Sequence, residues 1–359
     1  LIGKKGMIMA GGVVGLLSVV LGYFGNPANM GYCIACFVRD VTGALGMHRA
    51  EVVQYARPEL MGLVLGAFIM AKTKNEFASK GGSAPFIRFF LGALMMIGAL
   101  VFLGCPLRMV LRLAGGDLNA LPAAGGFAVG IAIGIFFLNR GFNLKRNYTL
   151  VSTEGYIFPM LNLLLLFILV VFPGLLIFSE AGPGSMRAPL VLSLISGLVV
   201  GGMAQRTRMC TMGGVRDAFL FRDNLLLMGF IGIFLIALAG NLALGQFNLG
   251  FAGQPVAHTE TLWNFMGMVV VGLSAVMLGG CPLRHLILAG EGNTDSAITV
   301  MGLMVGAAFA HNMSLASSPA GATSGGKMVV MVGMLIMLGI AYLNSELADS
   351  KVKGDVKVG

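Results

Sequence analysis

The chain has 359 residues, 57% of them hydrophobic and only 11% charged. A soluble domain carries about 25% charged residues, so water cannot be the solvent for most of this surface and a soluble globular fold is excluded. The formal net charge of +9 comes from short Lys and Arg clusters set between apolar runs, which fits the positive-inside rule and excludes nucleic acid as the expected partner.

A membrane-spanning helix needs about 20 mainly apolar residues. In chain order such runs lie near 7–24, 58–71, 86–104, 122–138, 156–178, 189–205, 225–242, 262–280, 298–312 and 327–344, ten in all. The second and ninth are short. The first run is followed by many others, so it reads as a span and not as a cleaved leader. With the N-terminus inside, one side receives Lys4 and Lys5, then Lys72, Lys74 and Lys80, then Arg140, Lys145 and Arg146, then Arg206, Arg208, Arg216 and Arg222, and last Lys351, Lys353 and Lys357. The opposite loops 247–261 and 312–326 hold no Lys or Arg. This asymmetry predicts a multi-pass protein of a bacterial inner membrane with both termini cytoplasmic.

The chain also repeats itself. Cys33-Ile-Ala-Cys36-Phe-Val-Arg39-Asp40 aligns with Cys210-Thr-Met-Gly213-Gly-Val-Arg216-Asp217, and Gly104-Cys105-Pro106-Leu107-Arg108 recurs identically as Gly280-Cys281-Pro282-Leu283-Arg284. Cys33 and Cys105 are 72 residues apart, and Cys210 and Cys281 are 71 apart. The expected organisation is a first repeat over 7–140, a connector with one span over 141–187, a second repeat over 188–313, a last span over 327–345 and a cytoplasmic tail over 346–359. An odd number of spans separates equivalent points, so the second copy is inverted, as in many secondary transporters. Cys33, Cys36 and Cys105 then approach from one leaflet, and Cys210 and Cys281 from the other.

Each cysteine-bearing segment is too polar or too broken by glycine to span, yet carries a short amphipathic run, such as 37–45 and 107–113. Re-entrant half-helices buried in protein satisfy such backbone. The fold expected is therefore all-α, with two inverted repeats and re-entrant half-helices bearing the cysteines. In Gly-Cys-Pro the proline suits the first helical turn, which places Cys105 and Cys281 at helix N-termini, where the dipole favours anions.

Cysteine is often only a small buried hydrophobe. Its recurrence at equivalent positions of both copies points to a pathway instead: Cys33, Cys36, Cys105, Cys210 and Cys281 suit a soft substrate ending in sulfur or selenium. Arg39, Arg108, Arg216 and Arg284 are candidates for attracting or gating an anion, with Asp40 and Asp217 as their neighbours; pairing with those carboxylates is the competing role. Cys33 and Cys36 form a C-x-x-C that reads weakly as a redox pair, because Gly213 replaces Cys36 in the second copy. No four-ligand zinc set is apparent, no nucleotide motif is present, and no cofactor is expected. His285 is the one histidine beside a motif; His48, His258 and His311 read as helix-end or loop residues.

These motifs resemble the YeeE/YedE family of sulfur and selenium membrane transporters, over about residues 7–345. The resemblance implies an hourglass shape, short re-entrant helices, inward passage of thiosulfate along a narrow central route, and pathway roles for Cys33, Cys105, Cys210 and Cys281. The stretch from Gly25 to Asp40, Gly-Asn-Pro-Ala-Asn-Met-Gly-Tyr-Cys-Ile-Ala-Cys-Phe-Val-Arg-Asp, is closer to the YedE-related branch associated with selenium metabolism. The expected function is uptake of a small selenium or sulfur species, with the lipid bilayer and a cytoplasmic sulfur or selenium carrier protein as further partners. The alternatives are a membrane thiol oxidoreductase using the C-x-x-C, or a subunit that delivers selenium to a soluble enzyme.

Overall fold

The computed structural model describes residues 3–346. Its first helices are α1 (Lys4–Tyr23), α2 (Ile34–Ala44), α3 (Pro58–Thr73), α4 (Pro85–Phe102), α5 (Pro106–Ala114) and α6 (Ala120–Leu138). After α7 (Ser152–Val171), the same alternation of long and short helices returns in α8 (Leu190–Thr207), α9 (Thr211–Phe221), α10 (Leu225–Ala243), α11 (Thr261–Leu278), α12 (Pro282–Gly290) and α13 (Thr294–Asn312). Helix α14 (Ser324–Leu343) follows, and a two-residue strand pair, β1 (Lys80–Gly81) with β2 (Tyr148–Thr149), ties two loops together.

Among the described residues, eight helices are long and apolar enough to cross a membrane. The two other long helices are α3 and α13, which coincide with the two short predicted spans. The protein is an all-α, multi-pass membrane protein. One span needs correction: the run predicted over 156–178 folds as a helix only over Ser152–Val171. Pro173 opens a short 3-10 turn there, because proline lacks an N–H and drives the preceding residue out of helical geometry. Lys351, Lys353, Lys357 and the expected tail from 347 onward lie outside the described residues.

The core is built by four parallel helix pairs. Gly11 and Gly15 of α1 face Gly229 and Ile233 of α10, and Gly62 and Gly66 of α3 face Leu194 and Leu198 of α8. Ala93 of α4 meets Gly306 of α13 as Phe89 meets Gly302, and Gly126 and Gly130 of α6 face Phe265 and Val269 of α11. Backbones touch at these places: a Cβ on Gly11 would lie 1.8 Å from the Gly229 carbonyl oxygen. Lipid gives helices no hydrophobic reason to associate, so close packing at small residues supplies the attraction.

Helices at equivalent places in the two motif series run oppositely. The N-terminal part of α1, Gly6 to Val13, borders the C-terminal parts of α3 and α8, while Gly25, just beyond its other end, sits on the Arg187 carbonyl that precedes α8. The loops gather at two ends. At one, Ala78 bonds the Glu291 carbonyl, Ser83 bonds Asp295, and Asn143 bonds the Asn344 carbonyl. At the other, Leu118 bonds the Gly250 carbonyl and Arg57 reaches the Pro183 carbonyl.

Candidate functional site

The four short helices α2, α5, α9 and α12 each begin immediately after a cysteine. Cys33 and Cys210 occupy extended cap positions, and their sulfurs accept the N–H of Cys36 and of Gly213, both at 3.3 Å. A thiol sulfur here does the work usually done by a serine or aspartate oxygen, and Gly213 performs the backbone part of the role of Cys36. Cys105 and Cys281 are also extended, with ψ of 170° and 169°, and Pro106 and Pro282 open the following helices. These two thiols each face both the first turn of their own helix and the start of a neighbouring one.

The cysteines therefore meet in two groups. In the first, the Cys33 thiol contacts those of Cys105 and Cys36, and the Cys105 sulfur faces the backbone N–H groups of Arg108 and Ala35. In the second, the Cys281 N–H points to the Cys210 sulfur at 3.5 Å, and the Cys281 sulfur faces the N–H groups of Arg284 and Thr211 and the Thr211 hydroxyl. All five thiols are free, buried and part of one core. Helix α2 packs on α12 and α5 on α9, so the two groups are joined by contacts between short helices. Two helix N-termini converge on each group, where the positive ends of the helix dipoles favour a negative ligand.

The arginines separate by partner. Arg39 is ion-paired with Asp40 at 2.7 Å, and the other Asp40 oxygen holds Arg57 at 2.8 Å. Arg216 pairs with Asp217 at 2.7 Å on a partly exposed face. Arg284, near the start of α12, reaches forward to Glu291 at its end, at 3.1 Å. Arg108 alone of the four has no carboxylate partner among the described residues. It is buried, and its guanidinium contacts the Leu103 carbonyl at 2.5 Å, the Asn29 and Pro255 carbonyls at 3.3 and 3.4 Å, and the Cys36 sulfur at 3.6 Å. An isolated buried cation costs several kcal/mol, on the order of what only an opposite charge or full solvation recovers.

At the loop end shared by α3, α8 and α12, Arg208 bridges Glu76 at 2.9 Å and Glu291 at 3.0 Å, and Arg206 adds a second contact to Glu76 at 3.0 Å. The Gln205 amide, followed by Arg208 and Arg206, holds the Glu76 carboxyl below its ordinary range. His285 is buried beside Ser296, and the histidines read as loop residues are held inward: His48 bonds the Arg39 carbonyl at 3.0 Å and His258 the Val101 carbonyl at 2.7 Å. Among the described residues, no group of three or more His, Cys, Asp or Glu side chains is placed to hold a metal ion.

The sequence marks Arg57 only as one of the arginines, with Arg39, Arg49, Arg108 and Arg112, that fall on the side opposite the main Lys and Arg clusters, and it does not single out Glu59, Glu76 or Glu291. Glu59 carried a usable signal, since it is an acidic residue inside a predicted span. The others are recognisable only through partners distant in sequence.

Together the helices and the buried polar groups define a polytopic membrane protein whose short helices bring thiols to shared positions. Residues 206–355 match the family model Sulf_transp, described as sulphur transport. The chain is 29% identical over 120 residues to the thiosulfate transporter TsuA of Escherichia coli K12, covering 33% of this chain and 34% of that one. It is 31% identical over 103 residues to the thiosulfate transporter TsuA of Spirochaeta thermophila, covering 29% and 31%. The matched segments thus span about a third of those relatives' lengths. On these matches the YeeE/YedE resemblance read from the cysteine motifs stands.

Proposed function

We propose that this chain takes up a small anion with a terminal sulfur or selenium atom, of the thiosulfate type, across the bacterial inner membrane, passing it unchanged between two groups of thiols. The observation that carries the reading is Arg108, a buried guanidinium without a carboxylate, set against Cys36 at 3.6 Å within the group that also holds Cys33 and Cys105. An anion entering there meets a positive charge, helix N-termini and polarisable S–H groups together. Arg39, Arg216 and Arg284, each already neutralised, act in holding the half-helices and gating. Cys210 and Cys281 receive the anion on the far side.

The opposite running of equivalent helices supports an inverted repeat, with α2, α5, α9 and α12 as re-entrant half-helices. The Lys and Arg asymmetry, with the start of α1 and the end of α14 at the loop end shared by Glu76, Arg208 and Glu291, supports cytoplasmic termini. A carrier protein at that face would accept the released anion. The thiosulfate transporters among the relatives favour sulfur; the Gly25 to Asp40 stretch favours selenium.

The test is uptake by purified protein in liposomes, comparing thiosulfate, selenite and selenosulfate with and without alkylation of the thiols. Saturable uptake of thiosulfate or selenosulfate, lost on alkylation, is expected. Uptake of none of the three, or uptake indifferent to complete alkylation, contradicts the reading.

A further inference from the structure

Glu59, in the first turn of α3, is wholly buried. Its Oε1 accepts hydrogen bonds from Asn26 Nδ2 at 2.7 Å and Ser193 Oγ at 2.9 Å. Its Oε2, equally buried, has no hydrogen-bond partner. No described cation pairs with this carboxyl group. Arg57, two residues earlier, is engaged by Asp40 and by the carbonyls of Pro183 and Met186, and approaches only through the Asn26 Oδ1 at 3.4 Å.

A second open group meets the same turn of α8, at Ser196 where Glu59 meets Ser193. The Tyr32 hydroxyl is buried and makes no well-formed hydrogen bond, although Ser196 is within its reach and Glu59 within its electrostatic range. An acidic group inside a membrane protein that lacks a charged partner marks an ion or proton route. Its open oxygen is costly as packing, because a buried polar atom left unpaired loses its hydration without return. Tyr32 directly precedes Cys33, the cap of α2, and so joins this pair to the first thiol group along the backbone.

We infer that Glu59 is the proton-binding site that couples cation movement to passage of the anion, with the Tyr32 hydroxyl as the exchange partner. The inference rests on the transport reading above. An anion moving into a compartment that is electrically negative works against the membrane potential, and each proton moving with it offsets one unit of charge, half of that on divalent thiosulfate. The charged and titratable groups around Glu59 are Tyr32 from the loop before α2, Asp40 of α2 through Arg57, and Tyr55 from the loop before α3, with Arg187 from the loop before α8 over the Tyr55 ring. Helix α8 presents the neutral Ser193 and Ser196, while α12 and α7 meet α3 further along, at Val64, Ala67 and Phe68.

The experiment uses the full chain in liposomes that enclose a pH-sensitive dye, with thiosulfate as the probe, in sodium-free and sodium-containing buffers. Thiosulfate counterflow reports transport, and lumen acidification on adding thiosulfate reports coupling. Wild type is expected to show both without sodium. E59Q, which keeps an oxygen for Asn26 and Ser193, is expected to retain counterflow with acidification reduced at least about tenfold. Undiminished acidification in E59Q, or wild-type uptake driven by sodium and indifferent to a pH gradient, overturns the inference. Absence of counterflow in wild type overturns the transport reading, and the inference with it. Should E59Q not purify as a folded protein, Y32F takes its place, with reduced acidification expected and undiminished acidification again overturning the inference.

Discussion

Cys281 directs its backbone N–H to the sulfur of Cys210 at 3.5 Å, joining the start of α12 to the start of α9. Two residues 71 positions apart thus share one polar junction inside an apolar core. The first motif series makes the matching junction between Cys33 and Cys105, with Cys36 and Arg108 added. That addition makes the two junctions chemically unequal: the first has a free positive charge, whereas the second has Arg284 tied to Glu291.

The first prediction follows from that inequality. Replacing Arg108 with Gln removes the charge but leaves a donor for the Leu103 carbonyl. Thiosulfate affinity, measured by isothermal titration on purified protein, should fall by about tenfold or more, corresponding to about 1.4 kcal/mol. R284Q should weaken it less, since Glu291 already neutralises that guanidinium. Equal losses would contradict the assignment of Arg108 as the anion receptor.

Cys36 provides a second prediction. Its backbone N–H, not its thiol, caps the Cys33 sulfur, and Gly213 serves equally well in the second series. Uptake by C36S should therefore exceed uptake by C33S by severalfold. A redox pair requires both sulfurs, and equal loss in the two variants would favour the oxidoreductase alternative.

Much of this site was legible because its signal is local. Gly-Cys-Pro fixes a helix start through the missing N–H of proline, and Arg39 and Arg216 each stand next to the aspartate that neutralises them. The short helices α2 and α5 begin at Ile34 and Pro106, close to the amphipathic runs expected over 37–45 and 107–113. What the sequence hid depends on distance: Arg57 meets Asp40 across 17 residues, and Glu59 meets Ser193 across 134. The end of α7 was misplaced because 156–178 is apolar throughout, and hydropathy is blind to the turn that Pro173 imposes.

Packing supplies a third prediction. A methyl group on Gly11 would meet the Gly229 carbonyl oxygen at 1.8 Å, so G11A must push α1 away from α10. Overpacking of this kind costs about 1–3 kcal/mol. The melting temperature in detergent should drop for G11A. Gly22, where an added methyl group would meet nothing within 4 Å, should accept alanine without loss.

Acidity bears on the loop end where α3 and α8 meet. The folded protein holds the Glu76 carboxyl below its ordinary value near 4.5, chiefly through Gln205 and then Arg208 and Arg206. Its contribution is thus complete above that value and disappears as pH falls through the lowered one. Thermal stability of wild type should decline on acidification below about pH 4.5 more steeply than that of E76Q, which has no carboxylate to protonate. Parallel acid profiles would contradict this role.

The central claim is that thiols from both short-helix junctions lie on one route. Its most direct measurement is initial uptake of labelled thiosulfate into proteoliposomes by wild type, C105A and C281A, each first shown to be folded by gel filtration. Both single variants are expected to lose uptake, because each removes a sulfur from a different junction. Wild-type rates in both would contradict the claim.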